Sequence, residues 1–100
     1  MDIQITSDNA RATLALKGKL TVRSSPELDD AIVSLDGSIA DIDIDLSEVE
    51  YVSSAGLRVF VSSSKLAERR GGTLRLLRPR DEVYEVFQMT GLEEVLVVVR

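Results

Sequence analysis

Residues 41 to 46 read Asp41-Ile42-Asp43-Ile44-Asp45-Leu46, an unbroken alternation of acid and apolar side chain. A period of two is the signature of a β-strand, whose successive side chains point to opposite faces. Three carboxylates on one face forbid burial on both sides. The sheet holding this strand is therefore expected to carry helices mainly on one face, with the acidic face solvated. The run Val95-Leu96-Val97-Val98-Val99 points the other way, since it reads as a strand covered on both faces.

The flanking segments supply the helices and the remaining strands. Residues 2 to 6 alternate around Ile3 and Ile5, and a second run carries Ala12, Leu14 and Leu16 as far as Gly18. Ser7-Asp8-Asn9 between them is turn chemistry, so the two runs read as a hairpin. Ser24-Ser25-Pro26-Glu27 opens a helix, either through a Ser24/Glu27 capping box or with Ser25 as cap and Pro26 in the first turn. Leu28, Ile32 and Leu35 continue it at helical spacing, and Gly37 is the expected stop. A longer helix is predicted over 54–70, with Leu57, Phe60 and Val61 on one face and Gly71-Gly72 as its end. A strand over 73–77, a helix over 81–90 closed by Gly91, and a last strand over 94–99 complete the order β-β-α-β-α-β-α-β. The expectation is one α/β domain over 1–100 with a mixed sheet and helices mainly on one face. At 100 residues with only 4 aromatics, that domain has one small aliphatic core.

Composition excludes several kinds of chemistry. The chain has no His and no Cys, which removes Ser-His-Asp and Cys-His catalysis, disulfides and the usual zinc ligands. A net charge of -5 repels duplex nucleic acid and anionic membrane. No apolar run approaches the ~20 residues of a membrane span, and Met1-Asp2-Ile3-Gln4 lacks the pattern of a signal peptide. The expected compartment is the cytoplasm. Arg69, Arg70, Arg75, Arg78 and Arg80 form the one basic concentration, read as a solvated helix end and loop. Ser62-Ser63-Ser64-Lys65 matches an S-x-x-K pattern without its partner motifs, and reads as a polar stretch of helix. Asp41, Asp43 and Asp45 resemble the start of a calcium loop. However, Leu46 stands where that loop requires Gly and Val52 where it requires the bidentate Glu. No metal or cofactor is expected.

The informative segment is Ser53-Ser54-Ala55-Gly56-Leu57-Arg58. Two hydroxyls and two small residues stand at a predicted helix start, where free N–H groups and the helix dipole favour a negative group. Ala55 and Gly56 allow close approach of another backbone or a partner. The plainest reading makes Ser53 or Ser54 an N-cap. Helix phase sets Leu57 toward the core with Phe60 and Val61.

These residues resemble the STAS domain, in particular the small bacterial anti-sigma factor antagonists. The resemblance rests on Asp45-Leu46-Ser47, Ser53 to Arg58, Gly71-Gly72 and Val86-Phe87-Gln88-Met89-Thr90-Gly91-Leu92, with Gly18-Lys19-Leu20 ahead of Pro26-Glu27-Leu28. It implies a binding module and not an enzyme. By the same resemblance, Ser54 takes the place of the phosphoacceptor, with Ser53 as the alternative. Thr21, Ser24, Ser53, Ala55, Gly56, Leu57 and Arg58 surround a partner surface. The implied partners are an anti-sigma factor serine kinase of the histidine-kinase-like ATPase type and a PP2C-type phosphatase, with no direct contact to nucleic acid or membrane. Ser53 stands where the family commonly has Asp, Thr21 stands where many members have Asp, and Ala55 stands where some relatives carry the modified Ser.

A phosphate adds about -1.5 to -2 charges and is tolerated at a helix N-terminus, so the modified domain is expected to stay folded while its interface fails. Two other readings compete with this one. One is a constitutive scaffold of the same fold, suggested by Ser53 in place of Asp. The other is a carboxylate enzyme on the Asp41/Asp43/Asp45 face, which requires a pocket that a flat strand face does not offer.

Overall fold

A computed structural model describes residues 1–100. The strands are β1 (Asp2–Asp8), β2 (Arg11–Leu20), β3 (Asp41–Val52), β4 (Leu74–Leu77) and β5 (Val97–Val99), and the helices are α1 (Ser25–Val33), α2 (Ser54–Arg69) and α3 (Asp81–Thr90), with a short 3-10 turn at Leu92–Glu94. The sheet has the order β1-β2-β3-β4-β5, antiparallel in the first pair and parallel in the rest. Each parallel step is bridged by one helix. The element order and the mixed sheet are those the sequence predicts.

Strand parity explains why every helix lies on one side. Leu14 pairs with Ile44, Ile44 with Leu76 and Leu76 with Val98, so these side chains stand in one row. Against that row pack Leu28 and Ile32 of α1, Leu57 and Phe60 of α2, and Val83 and Phe87 of α3, in one contiguous core. Phe60 and Phe87 meet edge-on at 6.1 Å, the one aromatic pair in an otherwise aliphatic interior.

The opposite face corrects an expectation. It is open, yet its acids are not simply solvated. Asp43 is only 4% exposed and lies between two arginines. Arg75 donates two hydrogen bonds to it at 2.7 and 2.8 Å, and Arg11 approaches both oxygens at 3.0 Å. Arg78 pairs with Asp45 at 2.9 Å, and Arg11 also reaches Asp41 at 3.7 Å. Arg75 and Arg78 of the basic concentration are therefore consumed by the acidic strand. Arg70 is likewise not free, because it donates to the carbonyls of Leu35, Asp36 and Ile39. Arg80 donates to the Ser47 carbonyl at 3.0 Å. A strand with acids at every second position recruits cations from its neighbours' matching positions: Asp43 pairs in register with Arg75.

Other boundaries also differ from expectation. The apolar run near the C-terminus forms only the three-residue edge strand β5, with Val97 and Val99 exposed and Val98 half-buried, so it is not covered on both faces. Helix α1 ends at Val33, before Gly37, and beyond it the Asp36 carboxylate accepts from both the N–H and the hydroxyl of Ser38 in a turn. Helix α3 closes on Gly91 as expected, in the left-handed conformation at φ 75.

Strand β3 runs on to Val52, six residues beyond the alternation predicted over 41–46. Between Asp45 and Tyr51 it carries two extra residues relative to β2, seen as register shifts between Ala15 and Lys17 and between Gly18 and Lys19. Such bulges break the period of two. They change the buried spacing to three, so that Leu46, Val49 and Val52 all face the core.

The Asp43 cluster yields a stability prediction. The hydrogen bonds from Arg75 first, and then Arg11, hold the Asp43 carboxyl below its usual range, against the opposing effect of its burial. Asp43→Ala is expected to cost about 1–3 kcal/mol by urea denaturation at neutral pH. A lowered folded value means this stabilisation is complete above the unfolded carboxyl value near 4 and is lost as pH falls through the folded value. The gap in urea midpoint between the two proteins is therefore expected to narrow below about pH 4. An equal midpoint at neutral pH would contradict the role given to the pair.

Candidate functional site

The end of β3 leads into α2 without a loop. Val52 pairs with Leu20, and the Ser53 N–H donates to the Leu20 carbonyl at 2.8 Å. Ser53 is the N-cap: its Oγ accepts from the Gly56 N–H at 3.2 Å. Its backbone is extended at φ -80 and ψ 167, the usual geometry for this position. Ser53 is 7% exposed, so its hydroxyl faces inward and is engaged in the cap. Ser54 is the first helical residue and is exposed. Its hydroxyl takes no part in the side-chain hydrogen bonds that hold this region together.

Gly56 is set by internal packing. A Cβ at this position would lie 2.6 Å from Leu20 Cδ2, 2.8 Å from Leu20 Cγ and 3.1 Å from Val52 Cγ1. Helix α2 thus rests its first turn directly on the junction of β2 and β3, and Gly56 is buried there. The close approach read from the sequence is made by the protein's own side chains. Leu57 is buried in the core, as helix phase predicts. Ala55 is half-buried and Arg58 is exposed beside it.

The β2–α1 loop stands next to this helix start and is locked by its own hydroxyls. Ser24 Oγ accepts from the Thr21 N–H at 2.8 Å and donates to the Lys19 carbonyl at 2.8 Å. Thr21 Oγ1 accepts from the N–H groups of Arg23 and Ser24, both at 3.2 Å. Ser25 Oγ donates to the Thr21 carbonyl. Neither of the two caps read from the sequence closes α1. The helix begins after Ser24 with no side-chain cap and with Pro26 in its first turn. Ser24 is buried and Thr21 half-buried, so both act inside the loop. The residue they present is Val22, which is 70% exposed. The sequence reading did not single it out. Its only signal was an apolar residue stranded between Thr21 and Arg23, where a loop has no need of one.

Two shallow grooves flank the exposed ridge of α2. One, of about 400 Å³, runs between α2 and the 3-10 turn over Leu57, Val61 and Leu92, with Arg58 and Lys65 at its edge. The other, of about 350 Å³, lies between the starts of α1 and α2 over Val22, Pro26, Ala55 and Val59, with Asp29 on its α1 wall. Arg58 and Ser62 line both. The ridge residues Ser54, Arg58, Ser62 and Lys65 are all exposed. Ser63, in the S-x-x-K stretch, faces inward, buried with no hydrogen-bond partner. The Asp41/Asp43/Asp45 face has no comparable concavity over its centre, and its carboxylates are turned onto arginines.

Comparison with known proteins agrees with this fold. The family model described as "Mlab, STAS domain" matches residues 3–99. The anti-sigma-B factor antagonist of Bacillus subtilis (strain 168) is 31% identical over 96 residues, covering 96% of this chain and 86% of that protein. The anti-sigma-B factor antagonist of Staphylococcus aureus (strain NCTC 8325 / PS 47) is 29% identical over 98 residues, with 96% and 90% covered. Among solved structures, an anti-sigma factor antagonist from Mycobacterium paratuberculosis superposes with a TM-score of 0.85 at 19% identity, over 98% of this chain and 84% of that one. SpoIIAA in its phosphorylated form superposes with a TM-score of 0.77 at 19% identity, over 99% and 92%.

The contact beneath the helix start is testable. Gly56→Ala forces a methyl group into the fully buried Leu20 side chain. It is expected to destabilise the protein by about 1–3 kcal/mol in chemical denaturation. Ala55→Gly, one position earlier and half-buried, is expected to cost less than Gly56→Ala. A neutral Gly56→Ala would show that α2 does not depend on this contact.

Proposed function

The chain belongs to the STAS domain family of anti-sigma factor antagonists, and on that premise we propose that it is a binding module switched by phosphorylation of Ser54. The observation that carries the reading is the division of labour at the helix start. Ser53 spends its hydroxyl on the N-cap and is buried, while Ser54, the next residue, is exposed and uncommitted. Of the two serines considered, only Ser54 offers an oxygen to an approaching kinase.

In this reading the unmodified chain binds an anti-sigma factor serine kinase of the histidine-kinase-like ATPase type, and a sigma factor is thereby released in the cytoplasm. The kinase transfers the γ-phosphoryl group of ATP. The Ser54 Oγ bonds to phosphorus as the bond to ADP breaks, and the hydroxyl proton passes to a base on the kinase. A PP2C-type phosphatase hydrolyses the ester and restores the module. The chain is a substrate and a ligand here and supplies no catalytic group. Val22, Ala55 and Arg58 form the surface on which the partner closes, while Thr21, Ser24, Ser53, Gly56 and Leu57 hold that surface in place from within.

Modification acts on the interface and not on the fold. A dianion at the first helical residue is favoured by the helix dipole by roughly 0.3–1 kcal/mol. Burying it against a partner surface shaped for a hydroxyl costs several kcal/mol. Shifting a complex from mostly bound to mostly free requires about 5.5 kcal/mol for a 99:1 to 1:99 change, so one phosphate is of the right order.

The test is to incubate the chain with ATP and an anti-sigma factor kinase from the same genome, then map the product by mass spectrometry. One phosphate is expected, on Ser54, and none in the Ser54→Ala variant. Phosphate on another residue, or none in the wild type, would overturn the switch. Constitutive binding is the competing reading, favoured by the absence of a carboxylate beside Ser54, where Ser53 stands. Ser54→Asp is expected to weaken partner binding at least 10-fold by calorimetry, and unchanged binding would favour the constitutive scaffold instead.

A further inference from the structure

Most arginines of this chain are already engaged. Arg11, Arg75, Arg78 and Arg100 pair with carboxylates, and Arg70 and Arg80 donate to backbone carbonyls. Arg58 is different. It is exposed on the ridge of α2, lines both grooves, and forms no ion pair or side-chain hydrogen bond. Asp29 lines one of these grooves from α1, and it is not paired with Arg58. Lys65 lies two turns further along the same ridge.

Arg58 is four residues after Ser54 in an unbroken helix. Side chains at that spacing stand about 5–6 Å apart at Cβ on one face. A guanidinium reaches a phosphate from there with two parallel hydrogen bonds, and the pairing is oriented favourably, with the anion on the N-terminal side. An uncharged serine hydroxyl offers the same arginine no ion pair, and it can accept at most a neutral hydrogen bond.

We infer that Arg58 is the internal receptor for the Ser54 phosphate, and that modification withdraws this cation from the partner surface. The inference rests on Ser54 being the modified residue. In the unmodified chain Arg58 is a free positive charge between two apolar grooves, suited to a partner carboxylate flanked by apolar side chains. In the modified chain the phosphate folds it onto the chain's own helix. One event thus adds a negative charge and cancels the unpaired arginine that lines both grooves. Arg58 is a positioning residue in this scheme and takes no part in phosphoryl transfer.

The test places phosphoserine at position 54 during translation, so that no kinase is needed and the outcome is independent of whether one recognises the chain. The second ionisation of the phosphate is then followed by phosphorus NMR against pH. With Arg58 present the midpoint is expected to lie about 0.4 of a pH unit below that of the Arg58→Gln variant, and Arg58→Lys is expected to recover part of the difference. Arg23→Gln, which removes the unpaired arginine of the neighbouring loop, is expected to leave the midpoint unchanged. The Arg58 side-chain Nε–H resonance is expected to move between the Ser54 and phosphoserine forms. All variants alter exposed residues, and circular dichroism checks that they remain folded. Equal midpoints with and without Arg58, a shift that follows Arg23 instead, or an unmoved Nε–H resonance would each overturn the inference while leaving the mapping of Ser54 untouched.

Discussion

The architecture turns on the absence of any loop between β3 and α2. Val52 ends the strand in register with Leu20, Ser53 caps the helix, and Ser54 is already helical. Gly56 allows the first turn to sit against Leu20 and Val52 with no side chain intervening. Because both ends of this junction are fixed, the rotation of α2 about its axis is fixed as well. That rotation sends the Ser53 hydroxyl inward and Ser54, Arg58, Ser62 and Lys65 outward. Which residues of α2 a partner can touch follows from it.

The two faces of the sheet divide the remaining work. The covered face buries a single aliphatic core beneath three helices. The open face carries Asp43 between Arg11 and Arg75, an arrangement that holds β2, β3 and β4 together through their side chains. This cluster lies on the opposite side of the sheet from the helices. A charge change at Ser54 is therefore made at the surface of α2, away from the ion pairs and outside the core. The fold supplies a rigid platform, and the proposed switch works by altering what the platform presents.

Much of this was legible in the sequence, for identifiable reasons. The alternation at 41–46 forced a one-sided sheet, and the spacing of Leu57, Phe60 and Val61 fixed the buried face of α2. Gly91 marked the end of α3 because a left-handed cap favours glycine. What was not legible depends on contacts between distant segments. The bulges in β3 disguised Ser47 to Val52 as a connection, although Leu46, Val49 and Val52 at spacing three carried the signal. The acidic face reads as solvated in sequence because Arg75 and Arg11 join it only through strand pairing. At the site, the motif marked Ser53 to Arg58 but could not rank the two serines. Their opposite orientations follow from the contact of Gly56 with Leu20, which is distant in the chain. Val22 escaped notice for the same reason, since its exposure is decided by the hydroxyl network around Thr21 and Ser24.

The central claim is that esterification of one exposed hydroxyl decides whether a partner docks. It is tested most directly by isothermal calorimetry of the anti-sigma factor with two forms of the chain, unmodified and carrying phosphoserine at position 54, at one ionic strength. The account predicts tight binding of the unmodified form and an affinity at least 100-fold lower for the phosphorylated form, with both forms showing the same thermal unfolding within a few degrees. Equal affinity of the two forms, or a loss of binding accompanied by loss of the fold, would contradict it.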